Sequence, residues 1–198
     1  MIFRSRPKSF NLIPVIEGCI KQQPSAQRAL VEQFYGLAKR ICLRYAANPF
    51  ESEEMVDDGF LKIFEKIGEF DHSKPFEPWL SRIMVNTAID YFRKHHSRVV
   101  LTDIEEAFDI SVASTQLEEL SADELLSLVQ ELPPAYRMVF NLCAIEGYDH
   151  REAAEMMGIS ESTSRSNLFK ARAKLQQWVL QLTNQRNQPA THHVFRKF

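Results

Sequence analysis

Apolar residues recur at intervals of three and four along most of the chain, and strand-like alternating runs are absent, so the pattern predicts helices. A first block starts near Ile13 and is interrupted from Gln22 to Pro24. Ser25 then caps a long helix with Leu30, Phe34, Leu37, Ala38, Ile41 and Tyr45 at helical spacing, and Asn48-Pro49 stops it. The next helix runs from about Ser52 to Ile67. Val56, Phe60, Ile63, Phe64 and Ile67 line one face, and Glu53, Glu54, Asp57, Asp58, Lys62 and Lys66 the other. The loop GEFDHSKP, with Gly68 and Pro75 as punctuation, leads into a helix from Phe76 to His95. Leu80, Met84, Thr87, Ala88 and Tyr91 point inward there, and Pro78 is tolerated because it falls in the first turn. Periodicity then fades from Arg98 to about Gln116. It returns over Leu117 to Gln130 through Leu120, Leu125, Leu128 and Val129, breaks at Leu132-Pro133-Pro134, and resumes as AYRMVFNLCAIEG, ending at Gly147.

The following stretch, DHREAAEMMGISESTSRSNLFKARAK from Asp149 to Lys174, has the pattern of a helix-turn-helix. Asp149 with Glu152 makes a reciprocal N-terminal cap, Ala153, Ala154 and Met157 form an apolar face, and Gly158 supplies the turn. Ser160 caps a second helix whose inward stripe is Leu168, Ala171 and Leu175. Arg165, Ser166, Asn167, Phe169, Lys170, Arg172 and Lys174 are left to point elsewhere. A second helix rich in donors is how such motifs address a DNA major groove, although a helical hairpin with a solvated basic face has the same pattern. The expected architecture is all-α: two small helical domains, 10–98 and 121–182, an acidic linker over 99–120, and a polar, disordered tail over 183–198. No internal repeat is found.

The net charge of −2 conceals an uneven partition. Residues 1–98 carry 15 Lys/Arg against 12 Asp/Glu, residues 99–136 none against 9, and residues 137–198 carry 9 against 5. The ends can therefore sit on phosphates while the middle cannot. Cys19, Cys42 and Cys143, an odd count within helical patterns, suggest buried thiols in a reducing compartment rather than a disulfide framework. No apolar run is long enough to span a bilayer, and MIFRSRPKSF lacks the apolar core of a signal peptide. A soluble, cytoplasmic protein without membrane insertion is expected. No phosphate-cradling glycine loop or nucleophile–base motif is present, and His95-His96 has no further metal ligand at suitable spacing. The chain is thus read as a binding protein, with no enzyme activity, cofactor or metal.

Two stretches match one family in order. EEMVDDGFLKIFEKIGEFD followed by FEPWLSRIMVNTAIDYFRK resembles region two of the extracytoplasmic-function (ECF) sigma factors. ELPPAYRMVFNLCAIEGYDHREAAEMMGIS with SRSNLFKARAKL resembles their region four. The family departs from this chain at Ser164, where an aliphatic residue is usual, and at Asn167, where Arg is common. The resemblance implies a promoter-specificity subunit that binds bacterial core RNA polymerase and promoter DNA, and an anti-sigma factor partner, membrane-anchored in many family members.

The resemblance also implies roles for particular residues. Glu53, Glu54, Asp57 and Asp58 would dock on the largest polymerase subunits; their alternative is a solvated helix face near a positive N-terminus. Phe70, Asp71, Ser73 and Phe76 would build a pocket for a base held out of the duplex. Asn86 would read a downstream-element base, and Arg82, Arg93 and Lys94 would hold phosphates. Trp79 has two readings, a core tryptophan or a ring stacked on bases. In the recognition helix, Arg165, Ser166, Phe169 and Lys170 match the family's groove-facing positions, where Arg can read guanine and Phe can pack on a thymine methyl. Arg172 and Lys174 would orient on phosphates, or simply form a solvated basic face. The acidic linker is either a self-repelling tether or a segment threading a polymerase channel. Extended, it reaches roughly 70 Å at about 3.3 Å per residue, which matches about two turns of DNA. The rival reading is a stand-alone helix-turn-helix repressor, which would need a dimer interface and a palindromic site.

Overall fold

Two prolines set where the long helices of the first bundle begin. Pro24 and Pro49 each occupy a first helical position, where the missing N–H is one the helix leaves unbonded anyway. The computed structural model describes residues 10–96 and 120–187, and the chain divides into two compact units that hold one stretch each. The described residues contain no strand. No described helix is long and apolar enough to cross a membrane.

The first unit comprises α1 (Leu12–Ile20), α2 (Pro24–Tyr45), α3 (Pro49–Lys66), a 3-10 turn (Ile67–Glu69) and α4 (Phe76–His96). Helix α2 packs against α1, α3 and α4, and α3 packs against α4. Ile16, Leu30, Ile63, Leu80 and Met84 are among the side chains fully removed from water at the centre. Two helix starts differ from the sequence reading. Gln23, not Ser25, is the N-cap of α2, and its side chain makes no capping bond; Ser25 is already helical because Pro24 opens the turn. Likewise α3 begins at Pro49 rather than Ser52. The Asn48 side chain accepts the Glu51 N–H at 3.0 Å, so the Asn48-Pro49 pair that ends one helix also caps the next. Ser52 is fully buried and donates to the Pro49 carbonyl at 2.9 Å.

Close helix crossings explain one glycine. A methyl carbon placed on Gly18 would lie 2.5 Å from the Ala26 Cβ, a rigid stub with no rotamer to yield. We expect Gly18→Ala to part α1 from α2 and destabilise the first unit by about 1–3 kcal/mol. Urea unfolding followed by Trp79 fluorescence in a Trp178→Phe background checks this, and an unchanged midpoint would refute the crossing.

The expected thiol burial is present for two cysteines. Cys19 and Cys42 are buried and free, while Cys143 is half-buried. Burial pushes the Cys42 thiol up to about 12 and raises the other two as well.

The second unit comprises α5 (Ala122–Glu131), α6 (Pro134–Phe140) continuing as a π-helical turn (Asn141–Ile145), α7 (His150–Met157) and α8 (Glu161–Asn187). A capping box absent from the sequence reading starts α5: the Ser121 hydroxyl accepts the Glu124 N–H, and the Glu124 carboxylate accepts the Ser121 N–H. Leu120, the last residue of the expected linker and the first apolar position of the returning periodicity, is buried with Leu128 and Val179, where Leu125, Leu175, Trp178 and Leu182 close around it. The remainder of the expected linker lies outside the described residues. At the other end α8 runs on to Asn187, taking in the first five residues of the tail expected from 183. Thr183 is buried and donates to the Val179 carbonyl at 3.0 Å, and Arg186 forms an ion pair with Glu124 of α5. Packing on α5 thus carries the helix past the point where apolar periodicity stops. The tail expected beyond it lies outside the described residues.

Candidate nucleic-acid interface

Helix α7 and the start of α8 form as their sequence dictates. The Asp149 carboxylate accepts the Glu152 N–H at 2.7 Å, and the Glu152 carboxylate accepts the Asp149 N–H at 2.9 Å. Gly158, with φ of 70°, takes the left-handed conformation that lets the Ile159 N–H reach the Ala154 carbonyl at 3.0 Å and end α7. Ser160 then caps α8, accepting the Thr163 N–H at 3.0 Å.

On α8 the exposed residues Arg165, Phe169 and Arg172 recur at spacings of four and three and share one face. Phe169 is 55% exposed on that face. Ser166, Lys170 and Lys174 are half-buried beside this face. Arg165 forms an ion pair with Glu161, one turn back, and the Lys174 ammonium lies 5.9 Å from the centre of the Trp178 ring. Asn167 does not point outward as expected. It is 4% exposed, because with Ser164 and Ala171 it falls on the inward stripe at intervals of three and four. The hydroxyl at Ser164, also fully buried, is satisfied by His150 Nδ1 at 3.0 Å.

In the first unit, α4 presents Arg82, Asn86 and Arg93 on one exposed face, with half-buried Trp79 at its start and exposed Lys94 beside it. Asp90 lies on that same face and is held by Lys62 of α3 at 2.8 Å. The His95 ring, at the end of the helix, stacks on Tyr91 with centroids 4.3 Å apart. The preceding loop is shaped by Asp71, whose carboxylate accepts the Ser73 N–H at 3.0 Å and the Ser73 hydroxyl at 2.7 Å. These two bonds hold the Asp71 carboxyl below the usual carboxylate range. Both residues stay exposed.

Phe70 and Phe76, expected to wall a base pocket, are 6% and 3% exposed. Their rings meet edge to face at 5.2 Å, Phe76 also packs on Phe34 at 5.0 Å, and both touch Trp79. This cluster anchors both ends of the Asp71 loop from beneath. Neither phenylalanine offers a free face, and the part of Trp79 that stays accessible is the only ring surface of the three open to a base.

The acidic face of α3 is also more finely divided than its composition suggested. The Glu53 carboxylate accepts the Tyr35 hydroxyl at 2.8 Å and the Lys39 ammonium at 2.6 Å, so it fastens α3 to α2. Lys39 and Tyr35 together lower its pKa. Because that pKa is depressed on folding, the clasp contributes above the ordinary carboxylate value and is lost only as pH falls through the lower folded one. Tyr91 sits beside Glu54; its hydroxyl pKa is pushed up to about 12, chiefly by burial and further by the Glu51 and Glu54 carboxylates. Asp57 and Asp58 are exposed and form no ion pair among the described residues. Periodicity could not assign Phe50 and Leu61, which are 86% and 61% exposed on α3's outward face. With Glu54 and Asp57 between them, they form a stripe that begins and ends apolar.

Residues 30–98 match the family described as Sigma-70 region 2, and residues 122–175 match Sigma-70, region 4. The ECF RNA polymerase sigma factor SigM of Bacillus subtilis is 32% identical over 138 residues, which span 69% of this chain and 84% of that relative. The chain belongs to the ECF sigma factors. It is therefore an RNA polymerase sigma factor, which binds core RNA polymerase and directs transcription initiation at promoters. The ECF RNA polymerase sigma factor SigE of Mycolicibacterium smegmatis is 25% identical over 167 residues, covering 81% of this sigma factor and 64% of the relative. Among solved structures, the sigma factor RpoE of Bartonella quintana, in complex with the anti-sigma factor NepR, is 19% identical at a TM-score of 0.47. It covers 78% of this chain and 96% of that one.

Proposed function

We propose a division of labour between the two units of this sigma factor. The first, 10–98, docks on core polymerase through the outward face of α3, with Glu54, Asp57, Asp58, Phe50 and Leu61 as the contact. Glu53 supports that face by fixing α3 to α2. Helix α4 and the Asp71 loop open the duplex: Asn86 reads a base, Arg82, Arg93 and Lys94 hold phosphates, Asp71 and Ser73 offer polar groups to an extruded base, and Trp79 lends its accessible edge. The second unit, 121–182, reads the upstream element through Arg165, Ser166, Phe169 and Lys170, with Arg172 and Lys174 on phosphates.

The observation that carries this reading is the exposed face of α4 that holds Arg82, Asn86 and Arg93, with Asp90 between them tied to Lys62, set beside a loop whose polar groups face solvent while its aromatics lie beneath. A base taken out of the stack needs polar groups for its edge and a ring to lie against, and the Asp71–Ser73 turn and the accessible edge of Trp79 supply both. The protein acts as a cytoplasmic binding subunit rather than an enzyme, without a cofactor of its own, and an anti-sigma factor is its regulatory partner.

Transcription from a supercoiled template with core polymerase, with and without this chain, tests the assignment. Asn86→Ala is expected to leave core binding intact and reduce promoter opening, since one good base contact is worth about 1–3 kcal/mol. Permanganate footprinting of unpaired thymines measures it, and unchanged opening would remove Asn86 from the interface.

A further inference from the structure

One ion pair on the strand-opening helix is not used by this reading. Asp90 lies on the exposed face of α4 that holds Arg82, Asn86 and Arg93. At about 1.5 Å of rise per residue it stands roughly 6 Å along the axis from Asn86 and about 4.5 Å from Arg93. Charges that near are poorly screened, since the screening length is about 8 Å at physiological salt. A bare carboxylate at Asp90 would therefore repel any phosphate that Arg93 holds. It is not bare. The Lys62 ammonium reaches across from α3 and donates to the Asp90 carboxylate at 2.8 Å. Periodicity had set Lys62 among the acids on the polar face of α3, and the fold turns it to α4 instead.

The pair is not what holds the two helices together. Its side chains keep 33% and 59% of their surface in water, and ion pairs that exposed add little to stability. Helices α3 and α4 already meet closely at Gly59, where the Met84 sulfur leaves no room for even a methyl group, and both residues are buried.

We propose that Lys62 is a further residue of the DNA interface, one that takes no phosphate itself but neutralises Asp90 so that the opened strand meets only cations on α4. The proposal rests on α4 being the helix that holds the strand. Each cation set on a phosphate releases condensed counterions, with a salt slope of about 0.7 per charge on a single strand. An uncompensated carboxylate on the same face offsets one such contact. Lys62 itself is committed to Asp90, so the phosphates fall to Arg82, Arg93 and Lys94.

The test uses holoenzyme assembled from core polymerase and the full chain. The template is the promoter that wild-type holoenzyme selects from a randomised library, mismatched over the thymines that permanganate finds unpaired, so that strand binding is read apart from opening. Lys62→Gln is expected to weaken binding by about three- to tenfold and to lower the salt slope by about 0.7 unit. Asp90→Asn should bind at least as tightly as wild type, because the freed ammonium adds a cation to the face. The double variant should return to within about twofold of wild type. Unchanged affinity in Lys62→Gln overturns the proposal. A double variant as weak as Lys62→Gln overturns it too, since Lys62 would then be holding a phosphate directly. If both single variants lose binding along with thermal stability, the pair is only a tie between helices and the proposal fails. It also fails if Lys62→Gln loses affinity for core polymerase by the same factor, which would place Lys62 on the docking face. Arg82→Gln on the same template checks the underlying reading: no loss there removes the strand from α4 and the proposal with it, whereas a loss there with Lys62→Gln unchanged overturns this proposal alone.

Discussion

Phe76→Ala is expected to destabilise the first unit by about 3–5 kcal/mol, the cost of removing a buried ring whose cavity cannot close. Its neighbours are Phe34, Phe70 and Trp79, all rings on separate turns or helices, so little can collapse into the space. Loss of promoter opening should follow, because the Asp71 loop would lose its anchor. Phe76→Leu separates structure from contact with DNA. It keeps most of the buried volume and should retain both stability and opening, with an aromatic deficit below about 1.5 kcal/mol. Thermal unfolding and permanganate footprinting of both variants decide the matter. Stable Phe76→Leu protein with abolished opening would return Phe76 to the base pocket from which its burial removes it.

A comparable loss is expected in polymerase binding from the outward face of α3. Leu61→Asp should weaken core binding by about 2–4 kcal/mol, the range of an apolar anchor near the centre of an interface. Phe50→Ala should act in the same direction. Neither change should affect stability, because both side chains are already largely in water. Glu53→Gln should behave differently. Its carboxylate is taken up by Tyr35 and Lys39, so the variant should loosen α3 from α2 more than it weakens docking. Titration of core polymerase with labelled chain, alongside denaturation, measures both quantities. Full core affinity in Leu61→Asp would move the docking surface off α3.

Apolar periodicity and local capping chemistry were enough to determine the helices and their order. The reciprocal cap at Asp149 and Glu152, the left-handed Gly158 and the Ser160 cap all appear where the residues place them, because each bond closes within four residues and needs no distant partner. The same locality explains why two helical units could be inferred from charge and periodicity. Two failures were local, since Pro24 and Pro49 move the starts of α2 and α3 away from Ser25 and Ser52; in the others a partner distant in sequence was responsible. Leu120 joins a core because Val179 lies against it, and α8 outlasts its apolar pattern because Glu124 holds Arg186. Asn167 is polar yet inward because it follows the register of Ser164 and Ala171, whose burial depends on what packs against them.

The interface residues divide along the same line. Arg165, Phe169 and Arg172 were left off the inward stripe by spacing, since a helix fixes which residues share a face, whereas Arg82, Asn86 and Arg93 were picked out by the family resemblance; all six are exposed. Spacing could not show that Phe70 and Phe76 turn beneath their loop, since an aromatic flanking a turn suits a core and a pocket equally well. Nor could it show that Glu53 is already bonded across to α2, or that Phe50 and Leu61 remain in water on a helix with ample apolar surface elsewhere. Sequence set the faces of each helix through local geometry. Which face is covered, and which charge is left without a partner, depended on residues that meet only after the chain has folded.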